Sequence, residues 1–155
     1  IASNDQQSRF FNLKAHLLLW LDRPVEASES TSMAMHRTMV NKERYFYNCG
    51  VALTRAGHPS QGLWFLRKAL LQEHTNRRVL YSLIENRLMA HTPPEAKEYA
   101  VRLVNQHGLL QIKTDLKKLQ EDYSLVPVNV GLIAPVIFEA ANDALATLKM
   151  VSSHQ

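Results

Sequence analysis

Apolar positions along this chain recur three and four residues apart, the spacing that gathers them on one side of a helix, and almost nowhere show the two-residue alternation of a strand. Between Leu109 and Glu121 they fall at 109, 112, 116 and 119, which predicts an amphipathic helix over about 109–121. Residues 122–131, with Pro127 and Gly131, break the pattern and read as a loop that redirects the chain. A last helix over about 132–150 follows. Its Leu132, Ile133, Val136, Ile137, Leu145 and Leu148, with Ala140, Ala141 and Ala144, give an apolar surface wider than one stripe. Such a surface needs a cover. The body of the same chain is favoured, because the loop is long enough to fold the helix back, and that gives a monomer; pairing with the same helix of another copy would give a homodimer.

Upstream of residue 109 the pattern repeats. Shifted by 35 and then 34 residues, Pro24-Val25-Glu26-Ala27, Pro59-Ser60-Gln61-Gly62 and Pro93-Pro94-Glu95-Ala96 align as proline, two residues, then a small residue. Seven positions further on stand Ala34, Ala69 and Leu103, and ahead of the phrases Phe10, Tyr45 and Val79, then Phe11, Phe46 and Leu80, share the register. Proline at the first helical position sacrifices no hydrogen bond, since that amide has no partner within the helix, so each phrase predicts a helix start. Thr92 and Glu95 have capping-box spacing, and Gly57 suits a left-handed helix end. Each unit therefore reads as helix, tight turn, helix, with pairs at about 8–37, 41–73 and 75–106. Ala27, Gly62 and Ala96 let the paired helices approach closely.

The 155 residues suit one compact unit, and 46% hydrophobic with 21% charged residues excludes the composition of a disordered chain. Only five Gly and six Pro are present, and the single β-branched run lies around Val126 to Val130, so the fold class is all-α. A net charge of +4 and a pI of about 9.3 suit an acidic partner. Arg and Lys are scattered among Asp and Glu, which makes nucleic acid the weaker expectation. Arg77, Arg78, Lys113, Lys117 and Lys118 motivate a regulatory nucleic-acid-binding helical domain as the alternative. No stretch of about 18 apolar residues is evident, and Glu139, Asn142 and Asp143 argue against membrane insertion of the last helix. A start at Ile1 followed by a polar run reads as a piece of a larger protein.

Candidate chemistry changes this picture little. The chain has no His-Glu-x-x-His, no Gly-rich phosphate loop, no nucleophile elbow and no paired-Cys spacing, so neither catalysis nor a cofactor is expected. The seven His, at 16, 36, 58, 74, 91, 107 and 154, never share the i, i+4 spacing of a helical metal pair. Cys49 stands alone and falls on an apolar position of the middle unit, which predicts an inert buried thiol.

Phe46, Gly50, Leu53, Gly57, Gly62 and Ala69 in the middle unit carry a resemblance to the tetratricopeptide repeat family. Phe11, Ala15, Leu18, Ala27 and Ala34 continue it in the first unit, and Leu80, Ala96 and Leu103 in the third. The first unit departs from it with Asp22 where Gly is usual, and the third with Ile84 in place of a small residue. The resemblance implies three hairpins, at about 8–40, 43–75 and 77–108, in a right-handed solenoid closed by capping helices at about 109–121 and 132–150. It also implies a non-enzymatic scaffold or adaptor that holds a peptide or protein on the concave face of the first helices. Carried through the register, the family's groove positions are Arg9, Asn12 and His16; Arg44, Tyr47, Val51 and Arg55; and Arg78, Tyr81, Glu85 and Met89. The two-Lys, two-Asn carboxylate clamp of the chaperone-binding subgroup is not reproduced. By analogy with the family the setting is bacterial, in pilus, secretion or envelope assembly or in signalling, and cytoplasmic, with a periplasmic domain of a membrane-anchored protein as the alternative.

Overall fold

The computed structural model of the chain describes residues 3–72 and 76–153. Among these the chain is all-α, with eight α-helices, one 3-10 turn and no strand. Helix α1 (Asn4–Trp20) pairs with α2 (Pro24–Arg37). A 3-10 turn (Lys42–Tyr45) leads into α3 (Phe46–Arg55), which pairs with α4 (Pro59–Leu70). Helix α5 (Asn76–Met89) pairs with α6 (Pro93–Gln106), and α7 (Leu109–Glu121) and α8 (Val130–Ser153) complete the chain. The predicted helix boundaries at 73 and 75 lie outside the described residues, as do His74 and His154.

Helices α2, α4 and α6 each begin on the proline of the repeated phrase. The turn before each proline is the same. Asp22, Gly57 and His91 have φ of 55°, 94° and 59°, in the left-handed region. The following amide of Arg23, His58 or Thr92 reaches back to the carbonyl of Leu18, Leu53 or Arg87, at 2.9, 2.8 and 2.9 Å, and so satisfies a carbonyl the helix end leaves free. The chain thus makes one turn three times, though only one unit has the glycine that adopts it without strain. Asp22 and His91 are exposed. Asp22→Gly and His91→Gly are therefore each expected to raise stability by about 0.5–1 kcal/mol, and Gly57→Ala to lower it by about 1 kcal/mol, measured by urea unfolding.

The capping box expected at Thr92 does not form. Thr92 has ψ near 65°, like Arg23 and His58, and its hydroxyl donates to the Arg87 carbonyl (2.9 Å), while Glu95 accepts from Arg87 Nη1 (2.9 Å). Among the described residues the capping box is at Ser3 and Gln6, where each side chain bonds the other's backbone amide; it starts α1 four residues before the predicted position 8.

Within and between hairpins the contacts follow chain order: α2 packs on α3, α4 on α5, and α1, α3 and α5 touch in sequence. Small residues set the spacing. Ala15, Ala27, Ala34, Ala96 and Ala100 are fully buried. A Cβ on Gly62 would lie 2.5 Å from Thr54 Oγ1 and 2.7 Å from the Gly50 carbonyl oxygen, and one on Gly50 would lie 2.6 Å from Leu66 Cγ, so the two glycines meet where α3 and α4 are closest. A buried polar chain ties this hairpin to the next. Thr54 donates to the Gly50 carbonyl (2.7 Å), Asn86 Nδ2 donates to Thr54 Oγ1 (2.7 Å) and to the Pro59 carbonyl (2.9 Å), and Arg87 Nε donates to Asn86 Oδ1 (2.9 Å).

Ile112, Leu116 and Leu119 of α7 and Ile133 and Ile137 of α8 join Leu80, Ile84 and Leu103 in one core cluster, and α8 lies on α6. Lys97 of α6 bridges to Glu139 (3.1 Å) and Asp143 (2.7 Å), which raises the Lys97 pKa, first through Asp143 and then through Glu139. Burial stops at Ala140. Beyond it the apolar stripe continues uncovered through Leu145, Leu148 and Val151. The last helix is therefore covered by its own chain over its first half only. Helix α8 is also long and apolar enough, by length and composition alone, to cross a membrane, contrary to the expectation that no such stretch exists.

Candidate functional site

The predicted groove residues are carried by α1, the 3-10 turn before α3, α3 and α5, and divide into two sets. Toward the N-terminal ends of these helices Arg9, Arg44 and Arg78 are exposed. Asn12 accepts from Asn48 Nδ2 (3.0 Å) between them. Arg9, Arg44, Asn12 and Asn48, with Leu13, His16 and Tyr123, line an open cleft of about 500 Å3, whereas Arg78 lies in a separate hollow beside Lys118 and Asp122. Tyr47 is half-buried; its hydroxyl shares a hydrogen bond with Ser82 Oγ (3.0 Å), and burial pushes its pKa up to about 12 against the opposing Ser82 bond and Arg78 charge. Tyr47 thus also joins α3 to α5 and is not a purely exposed contact.

Toward the C-terminal ends the side is already occupied. The segment 122–129, here called the strap, crosses α1, α3 and α5 in order. His16 Nε2 donates to the Tyr123 carbonyl (2.7 Å), Trp20 Nε1 to the Leu125 carbonyl (2.8 Å) and Arg55 Nη2 to the Pro127 carbonyl (3.0 Å). The Asn129 amide donates to Glu85 Oε2 (2.7 Å), and Arg55 pairs with Glu85 Oε1 (3.0 Å). Main-chain groups of residues 123, 125, 127 and 129 are held in this way, while the side chains of Val126 and Val128 are buried, Val126 among Ala15, Leu19, Val51 and Leu83. The Tyr123 ring meets Trp20 edge to face at 4.7 Å.

This arrangement decides which predicted residues are open to a partner. Val51, Tyr81 and Glu85 are no more than 4% exposed, and Met89 sits at the edge of the strap. Tyr81 faces α7, where its hydroxyl donates to Asp115 Oδ2 (2.8 Å); burial first, and then this bond, raise its pKa. Asp115 also receives Arg77 Nε (2.5 Å) and Gln111 Nε2 (3.0 Å), so the Arg77 of the basic cluster is committed to an ion pair. Among the described residues no group of three His, Cys, Asp or Glu gathers that could hold a metal. Cys49 is buried, which raises its thiol pKa, partly offset by a Thr31 hydrogen bond.

Sequence reasoning missed Trp20, Asn48 and the strap itself. Trp20 was within reach of the register, since it stands 35 residues before Arg55 and Arg55 stands 34 before Met89. A scan against protein-family models, a search of curated proteins and a search of solved structures each return no match for the chain.

Proposed function

We propose that this chain is a non-catalytic interaction domain: a right-handed solenoid of three tetratricopeptide-like hairpins that holds a peptide or protein partner along the side formed by α1, α3 and α5. The observation that carries this reading is the strap. Side chains from all three first helices, two of them at equivalent register positions (Trp20 and Arg55), already hold a polypeptide main chain on that side. The recurrence of one turn geometry at Asp22, Gly57 and His91 supports the repeat reading. The exposed arginines 9, 44 and 78 favour acidic side chains in the partner. In the cell the domain serves as a scaffold or adaptor within a larger assembly.

Arg44→Glu tests this reading cleanly, because Arg44 is exposed and lies in the 3-10 turn before α3. Acidic peptides selected by display against the unmodified chain are expected to lose about tenfold in affinity on Arg44→Glu, roughly the 1.4 kcal/mol of one charge-assisted contact, with the helical circular-dichroism signal unchanged. Selected peptides that bind the variant as tightly as the parent would move the partner site elsewhere. Tyr47→Ala is a poorer test, since it also removes the Ser82 bond that joins α3 to α5.

A further inference from the structure

The strap shows what this side of the molecule recognises, and the following rests on the interaction reading above. We propose that residues 122–129 are a stand-in ligand, displaced by a segment of another polypeptide that carries acidic residues followed by two branched apolar residues two positions apart. The chemistry is read from the strap. Three carbonyls and one amide at alternate residues are bonded to His16, Trp20, Arg55 and Glu85, and such contacts do not depend on which side chains the segment carries. Selectivity comes from the two positions between, Val126 and Val128, both buried. Pro127 between them restricts Val126 to extended backbone, so an extended β-branched pair presents the same shape.

The acidic part follows from where the free surface lies. The open cleft that holds Arg9 and Arg44 adjoins Tyr123 and Ser124, the N-terminal end of the strap. A ligand lying parallel to the strap would bring its preceding residues onto those two arginines, which no acidic side chain of the described residues pairs. The strap is tethered at both ends, by the cores of α7 and α8, so its effective concentration is in the millimolar range. A ligand offering only the strap's own contacts would lose that competition, whereas one that adds the arginine contacts gains what the strap lacks. Neither flanking helix has to unfold, because Ile112, Leu116 and Leu119 and Ile133 and Ile137 hold α7 and α8 independently.

The test uses the full chain and two labelled peptides, residues 122–130 as they stand and the same sequence preceded by three glutamates, with binding read by fluorescence anisotropy. Val126→Thr with Val128→Thr keeps the strap's shape but buries two hydroxyls, weakening it in place. The plain peptide is expected to bind this double variant at least tenfold more tightly than the unmodified chain. Trp20→Phe in the double-variant background should lower that affinity about fivefold, the equivalent of one lost neutral hydrogen bond. The glutamate-extended peptide should bind the unmodified chain at least tenfold more tightly than the plain one, and lose the gain on Arg44→Glu. No gain from weakening the strap while the helical signal is retained, or a gain indifferent to Trp20→Phe, overturns the proposal. If the double variant loses its helical signal, Val128→Thr alone is titrated against the same criterion, and its unfolding too would make the strap a fixed part of the core. Either result, alongside display-selected peptides that still depend on Arg44, would remove displacement and leave the interaction reading intact.

Discussion

Gly62→Leu is expected to destabilise the domain by about 3 kcal/mol or more and to lower its melting temperature by roughly 10 °C. The reason is local. Even the first added carbon would sit 2.5 Å from Thr54 Oγ1 and 2.7 Å from the Gly50 carbonyl oxygen. Thr54 cannot turn aside, because its hydroxyl donates to that same carbonyl and accepts from Asn86, which in turn bonds the Pro59 carbonyl. Relief requires α3 and α4 to move apart, and that opens the contacts of Leu66 and Ala69 with Val51, Ala52 and Val79. Gly62→Ala gives a second reading of the same contact. Alanine is the better helix former by about 0.5–1 kcal/mol, so a net loss of stability would show that the clash outweighs propensity. Gly108→Ser serves as the control, since nothing lies within 4 Å of a Cβ there. Equal melting temperatures for Gly62→Leu and the parent would disprove the glycine contact as the determinant of hairpin spacing.

Most of the helical architecture was legible because it is written in residues with a single use. The prolines at 24, 59 and 93 mark helix starts, and small residues at 27, 62 and 96 mark close contacts, so period and pairing follow from them. Conformation that a residue adopts under tertiary pressure was not legible. Asp22 and His91 take the left-handed turn without being glycine, since the back-bonds from Arg23 and Thr92 close it in the same way. The same geometry turns the Thr92 hydroxyl toward Arg87 and removes it from the cap. The first helix was expected only from about residue 8, yet Ser3 and Gln6 make the one capping box the chain has among its described residues. At the site, two of the residues the register singled out, Arg9 and Arg44, line one cleft. The register could not separate open positions from covered ones: Tyr81 turns toward Asp115 of α7, and over Val51 and Glu85 the cover is a loop with no periodicity, bonded through main-chain atoms that leave no mark on residue type.

Arg55→Leu is the second change expected to have a large effect, and it separates the strap's ionic anchor from its apolar one. Glu85 lies almost wholly inside, its side chain 6% exposed against 17% for Arg55. It has three partners: two nitrogens of Arg55, at 3.0 and 3.5 Å, and the Asn129 amide. Removing Arg55 would leave a buried carboxylate with one amide donor, and it would also release the Pro127 carbonyl. Stripping one member from a buried pair costs about 3–5 kcal/mol, most of it the uncompensated charge that remains. The double variant Arg55→Leu with Glu85→Leu removes that charge, leaves an apolar pair of similar volume, and forfeits only the bonds to Pro127 and Asn129, each on the order of 1 kcal/mol. The double variant is therefore expected to be more stable than Arg55→Leu alone by at least 1 kcal/mol, a coupling that urea titrations of the four species resolve. Protease nicking within residues 122–129 should rise in Arg55→Leu, where opening the strap lets water reach the unpaired Glu85 carboxylate, and return toward the parent rate in the double variant, where that charge is gone and Val126 and Val128 still hold the strap down. A single variant within 0.5 kcal/mol of the parent would mean that water already screens the pair and that the valines alone fix the strap.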